Sequence, residues 1–180
     1  MIYLFLADGF EECEALVPLD ILRRAEIEVM TVGIGSKTVK GSHNIPVTCD
    51  LEENEITLEN LQGIILPGGM PGTTNLQNNA TVNLFIDYAS KNNLLICAIC
   101  AAPMILGQKK ILEGKKATCF TGFEKELLGA TVCETPVVKD GNIITAYGAG
   151  AAFPFGFEIL SYLKGEAASK QMQSQMRYTK

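Results

Sequence analysis

Short apolar runs, each followed by a helical pattern, recur along this chain, and that alternation restricts its fold more than any other feature. IYLFLA, EVMTVGI, GIILPGG and LLICAIC stand in sequence, with further strand-like runs at KATCF and NIITAYG. Strands apolar along their whole length are buried on both faces, which calls for a parallel sheet with helices on either side. The spacing predicts a first helix over residues 11–25, with Leu16, Leu19, Ile21 and Leu22 on its apolar side, and final helices over 151–163 and 166–175. Pro18 lies inside the first helix and cannot donate to the carbonyl of Glu14, so a kink or a later start is expected there. The stretch 35–51 reads as a small antiparallel excursion, not as another crossover helix.

At 180 residues and 47% hydrophobic, the chain can bury a full core and is read as one domain over 1–180. Its net charge of -5 comes from scattered acidic residues, which offers no footprint for nucleic acid and no polybasic patch for a membrane. The opening apolar run meets Asp8-Gly9 after seven residues, too soon for a signal peptide or a span. Six cysteines without a secretion signal suggest free thiols in the cytoplasm, and their spacing forms no zinc knuckle, so no metal is expected.

One cysteine stands apart. Cys100 follows the buried run 94–99 and precedes Ala101-Ala102-Pro103 and a helical segment. A nucleophile at such a strand-to-helix turn is exposed at the carboxyl edge of the sheet, where N–H groups of the helix start can stabilise a thiolate or an oxyanion. The small Ala101 and Ala102 permit the turn, and Pro103 suits the first helical position. Cys100 is therefore expected to be the first thiol alkylated at neutral pH. Cys97 and Cys100 also spell C-x-x-C, but the first lies within the strand, and three extended residues span roughly 10 Å, so Cys97 is read as core.

A second turn, Leu66 to Gly72, follows another buried strand and reaches the same edge, which makes Gly69 a candidate oxyanion donor. Glu11, Glu12 and Glu14 follow the first strand. Acidic residues at a helix start ordinarily complement its dipole. One beside Cys100 would have to be protonated and donate to the sulfur, and Glu14, facing inward beside Pro18, is the best placed. The only histidine, His43, lies in the excursion, and Ala101 follows the nucleophile, so a cysteine protease or amidase lacks its obvious base.

ADGFEECEALVPLDILRRAEIEV, ILPGGMPGTTNL, LLICAICAAPMIL and ITAYGAGAAFPFGFEIL, in that order, resemble the ThiJ/PfpI superfamily and within it the DJ-one-like branch. The resemblance implies a flavodoxin-like doubly wound fold, a homodimer, Cys100 as oxidisable nucleophile, Glu14 as its protonated partner, and Gly69 and Ala101 as backbone donors. It implies glyoxalase or deglycase activity on small aldehydes without a cofactor, or else a redox sensor or chaperone acting through Cys100 oxidation. Three positions depart from the pattern: Phe120 where many relatives have histidine, Tyr147 before Gly148-Ala149-Gly150 in place of arginine, and His43 where arginine is common.

Overall fold

Strand β1 (Ile2–Leu6) is buried along its whole length, and its alternate residues feed two separate cores. Ile2, Leu4 and Leu6 face one, while Tyr3, Phe5 and Ala7 face the other. This is the period of two expected of a strand covered on both faces. The computed structural model describes residues 1–179.

Around β1 runs a seven-stranded sheet containing β2 (Val29–Gly33), β5 (Leu51–Glu52), β6 (Gly63–Leu66), β7 (Leu95–Ile99), β10 (Val137–Asp140) and β11 (Ile143–Ala146). Its order is β10-β11-β7-β6-β1-β2-β5. All neighbours are parallel except β10, which pairs antiparallel with β11 at the edge. The inner order β2-β1-β6-β7-β11 is the flavodoxin-like doubly wound pattern, whose strand order reverses beside β1. The expected excursion is present as the antiparallel pair β3 (Thr38–Lys40) and β4 (Pro46–Thr48), although β5 then joins the main sheet.

Helices α1 (Glu12–Arg24), α5 (Ala152–Lys164) and α6 (Glu166–Gln175) match the predicted spans to within a residue or so. Glu11 caps α1, its carboxylate accepting the Glu14 N–H at 2.7 Å. These helices cover one face of the sheet. The other face carries residues of α3 (Ala80–Lys91) and α4 (Pro103–Gln108), with α2 (Gly72–Asn78) contributing Leu76.

Three expectations change. The helix α1 begins at Glu12 and runs through Pro18, so the later start does not occur; the proline removes the donor to the Glu14 carbonyl inside a continuous helix. Pro18 instead marks the crossing with α5, where a side chain at Gly156 would come within 3.0 Å of the Pro18 Cα. KATCF supplies only β8 (Lys116–Ala117), which pairs with β9 (Thr131–Val132) in a ribbon outside the main sheet. Finally, the antiparallel edge strand β10 had no counterpart among the predicted runs: its burial pattern is mixed, as befits an edge. No helix among the described residues is long and apolar enough to cross a membrane.

Candidate active site

Cys100 leaves β7 with φ of +64°, in the left-handed region, and α4 begins three residues later with Pro103 in its first turn. Its backbone is fixed from both sides. The Cys100 N–H donates to the Ala146 carbonyl at 2.9 Å, and its own carbonyl accepts the Phe120 N–H at 2.8 Å. The residue is half-buried, and the neighbouring backbone N–H groups of Gly69 and Ala101 favour its thiolate. The sharp turn thus presents Sγ to donors from two different loops at one sheet edge.

Glu14 reaches this edge from the first turn of α1 and is 1% exposed. Its side chain meets Cys100 across Gly68, where an added Cβ would lie 2.5 Å from both the Cys100 Cβ and Glu14 Oε2. Its Oε2 accepts the Gly68 N–H at 2.9 Å, and a further backbone hydrogen bond comes from Ala149. Burial pushes the carboxyl up to about 7, against the pull of those hydrogen bonds. The carboxyl therefore retains its proton well above the ordinary carboxylate range.

The thiol itself is pushed up to about 12, first by burial and then by the charge of Glu14 when that group is ionised. The helix-start effect expected from the sequence is outweighed by burial, since α4 has only six residues. Glu14 and Cys100 titrate as a coupled pair. When Glu14 holds the proton its charge is gone, and its O–H favours the thiolate; when it is ionised it opposes the thiolate.

The three acidic residues divide cleanly. Glu11 caps α1, Glu14 meets Cys100, and Glu12 turns to the excursion, where its Oε1 accepts the His43 N–H at 2.8 Å and its Oε2 lies 2.8 Å from His43 Nδ1. Burial pushes Glu12 up, but the hydrogen bonds from His43 outweigh it and hold the carboxylate below its ordinary range. The His43 side chain, 70% exposed, is raised by the same contact. Ligand atoms of Glu11, Glu12 and His43 lie within 4.8 Å of one another, which would suit a cation sterically. Glu12 is already engaged by His43 and Ser42, so these contacts account for the cluster.

Over residues 1–162 the chain matches the DJ-1/PfpI family. It belongs to that family. Protein dj-1beta of Drosophila melanogaster is 33% identical over 164 residues, which cover 89% of this chain and 88% of the relative. Among solved structures, a cysteine-to-alanine variant of a DJ-1 superfamily protein from Salmonella typhimurium superposes with a TM-score of 0.94 at 34% identity, covering 99% of this chain and 98% of that one. The oxidized form of Toxoplasma gondii DJ-1 gives 0.95 at 27% identity, again covering 99% and 98%.

Set within the DJ-1/PfpI frame, the four residues singled out from the sequence, Cys100, Glu14, Gly69 and Ala101, lie together, while His43 stands apart on Glu12. Gly68 and Ala149 also take part, through backbone N–H groups that anchor Glu14. Sequence reasoning missed both, and only the flexible PGG and GAG segments hinted at them. A Cβ at Gly68 would stand 2.5 Å from both the Cys100 Cβ and Glu14 Oε2, so glycine is required for the pair to close. Cys97 is fully buried in the core, its thiol pushed well up by burial. Cys13, by contrast, is exposed, so labelling order alone no longer identifies the nucleophile.

Proposed function

We propose that this chain is a cysteine-dependent, cofactor-free enzyme of the glyoxalase or deglycase type, acting on small reactive aldehydes such as methylglyoxal. The observation that carries the reading is the buried Glu14 carboxyl packed against Cys100, close enough that a Cβ at Gly68 would meet both at 2.5 Å, with burial raising that carboxyl to about 7. That arrangement supplies a nucleophile together with a group able to give and take a proton near neutral pH. A homodimer built on α1 and the excursion around His43 completes the reading on family resemblance, and the free thiols favour a cytoplasmic location.

In the glyoxalase cycle the Cys100 thiolate adds to the aldehyde carbon of R–CO–CHO, forming a C–S bond, and the oxygen takes a proton to give a hemithioacetal. Glu14 then moves the C1 proton towards C2 through an enediol. C1 is oxidised and C2 reduced within the same molecule, so no external oxidant is consumed. The resulting thioester is cleaved by water, which releases the hydroxy acid and returns the thiol. In this reading the N–H groups of Gly69 and Ala101, which favour negative charge at Cys100, stabilise oxyanions formed beside the sulfur.

Lactate measured directly after addition of excess methylglyoxal tests the proposal. Many equivalents of lactate per protein are expected, and none from Cys100→Ser above the rate without protein. A wild-type rate equal to that of Cys100→Ser would reject the enzyme.

A second reading, a redox sensor, is favoured by one observation: a relative is known in an oxidized form. A protonated Glu14 would hold an oxidised Cys100 through its O–H. In that case peroxide would add oxygen to Cys100 stoichiometrically, as read by intact-protein mass, while lactate would not accumulate.

A further inference from the structure

Beside the proposed reaction centre lies a cavity of about 720 Å³. Phe120, Val132 and Tyr147 line it, and they stay 49%, 40% and 38% exposed although large apolar side chains are ordinarily covered. Its charged lining consists of Glu124 and Glu134, and no Lys, Arg or His is among the described residues that line it. Thr118 and Cys119 also line it.

This cavity shares a wall with the site. The Phe120 N–H is bonded to the Cys100 carbonyl, and the Cys100 N–H to Ala146, the neighbour of Tyr147. The Phe120 ring lies 3.1 Å from where a Cβ at Gly148 would stand, and that same point is 3.9 Å from Glu14 Oε1. The Phe120 and Tyr147 side of the cavity therefore adjoins Cys100, and a molecule whose carbonyl sits at Cys100 has there a neighbouring space for its remaining group, lined by aromatic rings and carboxylates.

Resting on the glyoxalase reading, we propose that this cavity is the subsite for the group R of R–CO–CHO, and that it selects an uncharged, apolar R such as an aryl ring. Phe120, Tyr147 and Val132 supply the apolar contact surface. Glu124 and Glu134 repel an anionic R, and no Lys, Arg or His among the described lining residues offsets them. Phe120 is thus a specificity-determining residue, occupying a place where a proton-carrying ring would serve another purpose.

The test compares phenylglyoxal, 4-carboxyphenylglyoxal and methylglyoxal, each rate of hydroxy-acid formation being divided by that aldehyde's rate of addition to a free thiol. kcat/KM for phenylglyoxal should exceed that for each of the other two by at least about tenfold, the scale of a modest apolar subsite. Phe120→Ala should reduce the preference for phenylglyoxal over methylglyoxal by a similar factor, and Glu124→Gln with Glu134→Gln should narrow the gap to the carboxylated aldehyde. Equal normalised values in the wild type, or ratios unmoved by these substitutions, would overturn the subsite while leaving the enzyme reading intact. Lack of turnover with all three would instead reject the enzyme. The cavity is then judged by saturation-transfer NMR with the unreactive acetophenone and 4-acetylbenzoate: a Phe120-dependent signal for acetophenone alone supports apolar selection, and equal or stronger binding of 4-acetylbenzoate refutes it.

Discussion

Replacing Glu14 by Gln is expected to lower methylglyoxal turnover by about 10²- to 10⁴-fold, the usual contribution of a positioned acid–base group. The amide can still donate a hydrogen bond to Cys100, but it can neither accept nor release the proton that must move between the two substrate carbons. The pH dependence provides the sharper readout. In the wild type, Cys100 alkylation should follow two steps, the lower near Glu14's value of about 7, because each partner's ionisation opposes the other's. Glu14→Gln should leave a single thiol titration, which peptide-resolved iodoacetamide labelling would distinguish from that of exposed Cys13. Superimposable profiles would remove Glu14 from the pair.

Stability should report the same proton. The folded protein holds it up to about 7, whereas the unfolded chain releases it near 4.5. Between these values the native state binds more protons than the unfolded state, so stability falls as pH rises. The contribution is present below pH 4.5 and is lost as pH rises through 7, on the order of 3 kcal/mol. The urea-unfolding free energy of the wild type minus that of Glu14→Gln should decline across this window, and a difference that rises would mean that the carboxyl is charged in the fold.

A comparably large loss is expected from Gly68→Ala, although it adds only one methyl group. The new Cβ would meet the Cys100 Cβ and Glu14 Oε2 at 2.5 Å and the Ile99 carbonyl oxygen at 3.0 Å, so at least one of them must shift. Overpacking of this kind costs about 1–3 kcal/mol. A displacement of about 1 Å at reacting groups costs on the order of 10²-fold in rate. Gly150→Ala, where a Cβ meets open space, should by contrast retain the wild-type rate and melting temperature. If Gly68→Ala turns over methylglyoxal like Gly150→Ala, the close approach of the two loops has no catalytic consequence.

What could be read from the chain follows from how local each feature is. Cys100 was legible because a buried strand ending in Cys-Ala-Ala-Pro fixes a turn within a few residues. Glu14 was legible as one of three carboxylates, and their separate partners emerge only when the excursion brings His43 onto Glu12. Gly68 and Ala149 act through backbone N–H groups, which every residue but proline carries, so no side chain could mark them. Pro18 misled because propensity weighs the lost donor, while the crossing with Gly156 is a long-range contact invisible to any window of sequence. Short β8 and the edge strand β10 lack the uniform apolarity that betrays a central strand.

The φ of +64° at Cys100 carries one more implication. A residue with a Cβ held in the left-handed region costs roughly 1–2 kcal/mol, and this one sits at the end of a core strand, where relaxed geometry would favour folding. The molecule thus sacrifices stability at the position where it holds its sulfur, a trade between robustness and reactivity. Glycine, ordinarily the weaker choice by about 0.5–1 kcal/mol in regular structure, should be at least as stable here as alanine. Comparing Cys100→Gly with Cys100→Ala would weigh, in a protein stripped of its nucleophile, how much thermal tolerance is forgone to keep that sulfur in place.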